Sequence, residues 1–369
     1  MSDVFTPTVE VKRFPPHHLI NRSSATSVYE VDPINDQRWT ALLAQHPNSS
    51  VFHTSKWARA LKNTYGYQPF ALTTSPPAAS LKNGLIFCRI DSWLTGRRLV
   101  SMPFSDHCEP LLCSTESVEI LADLYGRMSE ENQKYFEIRP VSGELERLGC
   151  LFRGSQYVLH RLDLRQPSHE LFRKFHKDCV QRKIRRAERE NLRYEEGKSE
   201  KLLQSFYRLL VKTRRRQKLP PQPLGWFREL VSNFGDELKI RVAFKGETAI
   251  SSILTIEHKT VMTYKYGCSD AAFNSMGGTA LLFWNTIRDA KERGFEELDF
   301  GRTDVDNQGL IRFKENWGAT RSELTYLSYP LEPAGLPSAW QAQLALRLIS
   351  KMPSVALEII GWLGYGHIG

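Results

Sequence analysis

The densest concentration of chemically useful side chains is the run Asp299-Phe-Gly-Arg-Thr-Asp-Val-Asp-Asn-Gln-Gly-Leu-Ile-Arg-Phe-Lys-Glu-Asn-Trp-Gly318. It starts on an apolar strand-like stretch, crosses a polar glycine-containing loop and ends in a short aromatic and basic segment. Asp299, Arg302, Lys314 and Glu315 grouped near the C-terminal end of a strand are what a ligand site in an α/β unit looks like. The plainer reading is a capped loop anchored to a core by Phe313 and Trp317, at i and i+4. A second candidate is the glycine pair Gly277 and Gly278, followed by Thr279, at a strand-to-helix junction. Free backbone N–H groups and the helix dipole make such a junction an anion site, and glycine lets backbone approach a ligand closely. Its plainer reading is a helix-entry turn. A third is Asp106-His107-Cys108. Neighbouring side chains on extended backbone point to opposite faces, so a Cys-His nucleophile is disfavoured and Asp106 or His107 lining a groove is the stronger reading.

Other motifs carry less. The literal G-x-G-x-x-G at Gly364 to Gly369 lacks a following helix and so lacks dinucleotide-binding context. No Walker loop, HExxH or GxSxG occurs, and His169, His176 and Cys179 are not spaced like a familiar metal site, so no metal is expected. The six cysteines, Cys88, Cys108, Cys113, Cys150, Cys179 and Cys268, form no CxxC pair and read as reduced, mostly buried thiols.

The 369 residues are 41% hydrophobic, 25% charged and 11% aromatic, an ordinary globular composition that argues against disorder. The length suggests two domains or a duplicated one. No run approaches the roughly 18 apolar residues of a membrane span. Met1 to Arg22 has no apolar signal-peptide core, so a cytoplasmic location is expected. The net charge of +9 is concentrated. Arg173 to Lys218 holds 17 Lys/Arg and 6 Asp/Glu, net +11, and the rest of the chain is net −2. That segment is either a solvated helix face or an anion-binding surface for phosphates, nucleic acid or anionic lipid.

The elements that must position these residues recur. Residues 1–26, rich in Pro, Ser, Thr and His, read as a flexible tail. Apolar spacing predicts helices over Asp36 to Leu43 and Ser55 to Asn63, the second N-capped by Ser55. Strands follow at Pro69 to Thr73, Gly84 to Ser92 and Arg98 to Phe104, then a helix from Glu116 to Met128 and a strand from Tyr135 to Pro140. The order returns as a helix over Leu202 to Val211, strands at Leu238 to Phe244, Ala249 to Ile256 and Val261 to Gly267, a helix from Gly278 to Arg293, and a strand from Glu297 to Phe300 ended by Gly301. Phe104-Ser105-Asp106 answers Cys268-Ser269-Asp270, and Glu137-Ile-Arg-Pro140 answers Asp299-Phe-Gly-Arg302. Two copies of one α/β unit is the expectation. The first copy's counterpart of the glycine pair, Glu109 to Ser117, has no glycine, so the second is the better donor candidate. The C-terminal segment 331–369 is read as an amphipathic helical extension that packs on the second domain or touches a membrane surface through residues 338–362.

The Asp299 to Gly318 run, preceded by Met276-Gly-Gly-Thr-Ala280 and its helix, resembles the Fem-type (FemAB-like) transferases of the GNAT acyltransferase superfamily. Ser50-Val-Phe-His-Thr-Ser-Lys-Trp57, Leu99 to Cys108 and the Lys351 to Gly361 tail resemble the subgroup that accompanies exosortase and exopolysaccharide systems. The resemblance implies an α/β fold of two tandem GNAT-like domains, over 27–160 and 161–330. It also implies transfer of an acyl or aminoacyl group from acyl-CoA or aminoacyl-tRNA to an amine. The acceptor would be an amino sugar or peptide, lipid- or nucleotide-linked, in cell-envelope, peptidoglycan or exopolysaccharide synthesis. No tightly bound cofactor is implied. Lys314 matches the family's Phe-Lys lysine, Arg214 to Arg216 its arginine after the helix opening the second domain, and Tyr266 the strand bordering the reaction channel. The sequence lacks the long coiled-coil tRNA arm of some Fem ligases and the full pyrophosphate signature of acyl-CoA enzymes, which leaves the donor open.

Acyl transfer to an amine needs the amine deprotonated, the carbonyl positioned and the oxyanion stabilised. The expected site therefore has Lys314, Asp299, Tyr266 and Asp106 as catalytic groups, and Arg214, Arg215, Arg302, His107, Phe313 and Trp317 as substrate contacts. Gly277, Gly278 and Thr279 are the donor contacts. The alternative is a non-catalytic pair whose basic segment holds tRNA, an anionic glycan precursor or an assembly partner. Location is expected at the cytoplasmic side, peripheral to the inner membrane face.

Overall fold

A computed structural model describes residues 27–330 and 354–368. The expected tail over 1–26 and the stretch 331–353 lie outside the described residues. Twelve strands form one sheet: β1 (Tyr29–Val31), β2 (Gln68–Thr73), β3 (Leu85–Ser92), β4 (Gly96–Val100), β5 (Tyr135–Ile138), β6 (Phe152–Asp163), β7 (Arg193–Gly197), β8 (Leu238–Lys245), β9 (Thr248–His258), β10 (Val261–Ser269), β11 (Glu297–Asp304) and β12 (Thr320–Tyr329). Their spatial order is β1-β2-β3-β4-β5-β12-β6-β11-β10-β9-β8-β7.

The expected duplication is visible in hydrogen-bond register. All neighbours are antiparallel except two pairs, β4 with β5 and β10 with β11. Each parallel pair is three residues long: Arg98↔Tyr135, Leu99↔Phe136 and Val100↔Glu137 in the first half, and Val261↔Glu297, Met262↔Leu298 and Thr263↔Asp299 in the second. The halves join by strand exchange. The last strand, β12, pairs with β5 of the first half, and β6 lies between β12 and β11. The expected division at residues 160 and 161 falls inside β6.

Three large apolar cores, besides a small cluster of Leu159, Leu324 and Tyr326, follow from the faces of this sheet. The Ser114–Glu130 helix covers the first half through Ile120, Leu121 and Leu124, all fully buried. The Gly278–Glu292 helix covers one face of the second half through Leu282, Phe283 and Ile287. A third core joins the halves, made by the Gln37–Gln45 and Ser55–Tyr65 helices against the Glu200–Arg216 and Leu224–Phe234 helices. Trp57 and Trp226 meet there edge to face at 5.2 Å, which fixes the two halves against each other. The second helix is capped by Thr54, whose hydroxyl accepts from the Trp57 N–H; Ser55, the expected cap, is its first residue.

Strand ends differ from expectation at two places. The strand expected to reach Phe104 stops at Val100, because Met102 and Phe104 adopt left-handed backbone angles. The strand expected to end at Gly301 continues to Asp304 through a bulge. The Ser354–Ile368 helix packs on both halves rather than on the second alone. Its Tyr365 hydroxyl donates to the Pro220 carbonyl and its His367 carbonyl accepts from Arg98.

Candidate active site

β10 and β11 separate beyond Thr263 and Asp299 because both strands bulge there. On β10 the register against β9 shifts between Tyr264 and Tyr266, leaving Lys265 as the extra residue. On β11 the register against β6 shifts between Asp299 and Arg302. Gly301 makes the second bulge, with φ +69°, and its N–H donates to Asp299 Oδ1 at 2.7 Å. A Cβ at Gly301 would lie 2.9 Å from Asp106 Oδ2, so glycine also admits that side chain. The parting strands enclose a wedge of about 310 Å³ lined by Asp106, Arg214, Tyr264, Lys265, Tyr266, residues 300–304, Leu310 and Lys314.

Lys314 rises into the wedge from the Gln308–Glu315 helix, whose start is fixed by Asn307 Oδ1 accepting from the Leu310 N–H. Its ammonium donates to the Gly301 carbonyl at 2.7 Å and the Arg302 carbonyl at 3.1 Å. The residue is 1% exposed. Burial pushes the ammonium down to about 8, the Asp106 and Asp299 charges oppose this, and Lys265 adds to it. Asp106 forms a buried 3.0 Å ion pair with Lys265, whose own ammonium is lowered by burial against the pull of Asp106. Arg302 donates to the Tyr326 hydroxyl at 2.6 Å and lies over the Tyr157 ring at 4.1 Å. Tyr326 in turn donates to the Asp106 carbonyl at 2.8 Å. The Tyr266 hydroxyl accepts from Trp226 Nε1 at 2.8 Å, and burial raises its phenol well above the usual range.

Asp299 and His107 lie apart from the wedge, on the other side of the β11 bulge. Asp299 Oδ2 and His107 Nε2 form a buried pair at 2.7 Å. Burial favours the neutral carboxyl, but the His107 hydrogen bond and charge, Arg161 and the Gly301 N–H together hold it at about 2. The pair lines a second cavity of about 360 Å³ between the halves, with Glu109, Arg161, His258, Glu297 and the loop 47–51. The opposed directions of Asp106 and His107 follow the alternation expected of neighbours. Cys108 contacts His53 at 3.4 Å, and burial lifts its thiol to about 12, so it is no ready nucleophile.

The remaining expected site residues are distributed as follows. Arg214 lines the wedge; Arg215 and Arg216 share the last turn of the Glu200–Arg216 helix, and Arg216 donates to the Ser269 carbonyl at 3.2 Å. Phe313 packs on Phe283 at 5.5 Å, and Trp317, 1% exposed, sits between Phe175 and Phe283. Neither aromatic lines the wedge. Gly277, with φ +81°, caps the Gly278–Glu292 helix; a Cβ there would meet the Lys183 carbonyl at 2.1 Å, and one at Gly278 the Ser251 hydroxyl at 2.7 Å. The close approach these glycines allow is thus to the chain itself, and Thr279 follows in the helix's first turn. Sequence reasoning missed Lys265, Tyr157 and Tyr326. A lysine between two tyrosines inside an apolar strand was the available signal for the first.

The first half has the same parting strands. Arg139, following β5, fills the gap: its guanidinium donates to the Met102 and Ser105 carbonyls at 3.1 and 3.2 Å and to Glu137 at 2.7 Å. The Cys108 N–H closes the gap onto the Arg139 carbonyl at 2.7 Å. In the second copy Gly301 and Arg302 stand where the first has Arg139 and Pro140, and the wedge is open there.

Residues 173–315 match the family described as the acetyltransferase (GNAT) domain. Among solved structures, the chain is similar to FemX (TM-score 0.64, 15% identity, 86% of this chain and 100% of that one). It is also similar to L-PGS from Bacillus licheniformis (TM-score 0.50, 15% identity, 87% and 98%). A tandem GNAT protein from the clavulanic acid biosynthesis pathway matches at TM-score 0.52 and 9% identity, over 84% and 100%. No curated protein matches in sequence. Residues 173–315 thus match the GNAT acetyltransferase domain family, and the chain as a whole shares the fold of FemX.

Proposed function

We propose that the protein transfers an acyl or aminoacyl group to an amine, with the donor carbonyl held in the wedge between β10 and β11. The observation that carries this reading is Lys314, an ammonium buried in the wedge with two of its three N–H groups on backbone carbonyls. The third is free to meet an oxyanion. The amine attacks the carbonyl carbon, a C–N bond forms, and the negative charge on oxygen faces Lys314 in a site with little water, where such stabilisation is strongest. Asp106, which lines the wedge, is the proposed acceptor of the amine's proton, its Lys265 partner keeping the carboxylate in place. Collapse of the intermediate breaks the bond to the thiolate of CoA or the 3′ oxygen of tRNA and returns the proton to that leaving group.

Arg214 at the wedge, with the Arg215 and Arg216 beside it, suits an anionic donor or a phosphate-linked acceptor. The proposed acceptor is an amino sugar or peptide of cell-envelope or exopolysaccharide synthesis, which rests on the resemblance of the Ser50 to Trp57 and Leu99 to Cys108 segments. The test is thermal unfolding with CoA, acyl-CoA and aminoacyl-tRNA, followed by mass spectrometry of the turned-over product. A donor at about 100 times its Kd adds roughly 2.7 kcal/mol. A second reading, a non-catalytic binder of polyanions, draws on the basic Arg182–Arg189 helix. Stabilisation by polyanions alone, abolished by modest salt, would select it.

A further inference from the structure

Among the described residues seven large apolar side chains are exposed: Trp93, Leu94, Leu219, Val305, Ile359, Trp362 and Leu363. Six of them converge on one rim. Trp93 and Leu94, 85% and 61% exposed, form the tip of the hairpin between β3 and β4. Ile359, Trp362 and Leu363 lie at i, i+3 and i+4 on the Ser354–Ile368 helix and so form one outward stripe. His367 continues that stripe by another four residues, and its ring meets the Trp93 ring at 5.4 Å. The hairpin tip therefore extends the stripe. At the other side, the loop carrying Leu219 is tied to the same helix: the Pro220 carbonyl accepts from Tyr365, and the Pro221 carbonyl lies so close to Gly361 that a Cβ would overlap it.

Cations flank this rim at both ends. Lys134 reaches the hairpin tip, donating to the Thr95 carbonyl at 3.1 Å, and the exposed Arg97 lies beside it, paired with Asp91 at 3.2 Å. Arg216 and Lys218, both exposed, adjoin Leu219. The helix itself is 15 residues, about 22 Å at the helical rise, too short for a roughly 30 Å hydrocarbon core. No helix of the described residues is long and apolar enough to cross a membrane. A shallow apolar rim with tryptophan at two separate segments and lysine and arginine around it has the make-up of an interfacial contact. Trp rings settle at the headgroup level and the cations meet anionic phosphates.

We infer that the hairpin tip Trp93-Leu94 and the Ile359, Trp362, Leu363 stripe dock this protein on an anionic lipid bilayer. The docked surface adjoins the wedge, because Tyr365 of the same helix packs edge to face on Phe104 at 5.8 Å, two residues before the wedge's Asp106. The inference does not depend on which donor or acceptor the wedge takes, and its test reads binding without turnover.

The test is flotation of the full chain with phosphatidylcholine vesicles, with and without phosphatidylglycerol. The wild type should float with the phosphatidylglycerol vesicles. Trp93→Ser with Leu94→Ser, and separately Trp362→Ser with Leu363→Ser, should each lower partitioning by about tenfold or more, as expected for losing two buried apolar side chains. These residues are exposed, so circular dichroism and the unfolding midpoint should stay unchanged, and the two variants check each other. Absence of flotation, or flotation equal in wild type and both folded variants, would overturn the inference. So would a concentration-dependent dimer that Trp93→Ser with Leu94→Ser disperses while the wild type ignores vesicles, an outcome that assigns the rim to a second copy of this chain.

Discussion

Lys314 donates to the Gly301 carbonyl at 2.7 Å, tying the Gln308–Glu315 helix to the bulge that opens the wedge. One side chain thus both holds the strand in its parted shape and supplies the charge beside the reacting group. Replacing Lys314 by alanine should lower kcat by about 10²-fold, the loss typical of removing one oxyanion donor. Steady-state kinetics on a variant shown to be folded checks it, and an unchanged kcat would remove Lys314 from the mechanism.

The same ammonium sets a pH dependence. Its ordinary value of 10.5 is lowered to about 8, so the working, protonated form is lost as pH climbs past 8 and kcat should decline there. Stability runs the other way. Between about pH 8 and 10.5 the unfolded chain binds more protons at this site than the folded one, so wild-type stability should rise with pH relative to Lys314→Met. Urea titrations of both proteins across that window read the difference directly.

His107 and Asp299 form a buried pair whose loss should be felt in stability first. Removing His107 leaves the buried Asp299 carboxylate without its 2.7 Å hydrogen-bond partner, and His107→Ala should cost about 3 kcal/mol. The Asp299 carboxyl is held at about 2 against an ordinary 3.8. The stability it contributes is therefore complete above about pH 4 and is lost as pH falls toward 2. Acid unfolding of the wild type should show this loss, and His107→Ala should show less of it.

Arg214 lines the wedge from the last turn of a helix whose other side is core. Arg214→Gln should raise KM for an anionic substrate by about tenfold, the loss of one charge-assisted contact, and leave the unfolding midpoint nearly unchanged. A large fall in stability with KM unaltered would assign the side chain to the fold alone.

Most of the local architecture was legible in the sequence because it depends on spacing between near neighbours. The two helix, three-strand, helix, strand series, the duplication and the placing of the Asp299 to Gly318 run at the end of a strand all follow from periodicity and from matched segments. Several elements carried weaker patterns and were not read. β6 and β12 pair across the halves, and the Leu224–Phe234 helix follows a proline-rich turn.

Residue types and spacing make Lys314, Asp106, Arg302 and Arg214 available to chemistry and gather positive charge at the entry to the second copy. Which of them meet is settled by packing and register. Asp299 and Arg302 are three residues apart, which would put them on opposite faces of a regular strand, yet the extra residue at the Gly301 bulge returns them to one face, opposite Arg161 and Leu159, where Asp299 meets His107 in one cavity and Arg302 lines the next. Phe313 and Trp317 turn inward for the same kind of reason. Once Lys314 is fixed into the wedge, the short helix leaves its aromatic neighbours facing the Phe283 core. Arg139 shows the converse, since a guanidinium that sequence spacing aligns with the second wedge closes the first one through hydrogen bonds to Met102 and Ser105. Pairings across 30 to 200 residues are set by packing and register, and no local pattern encodes them.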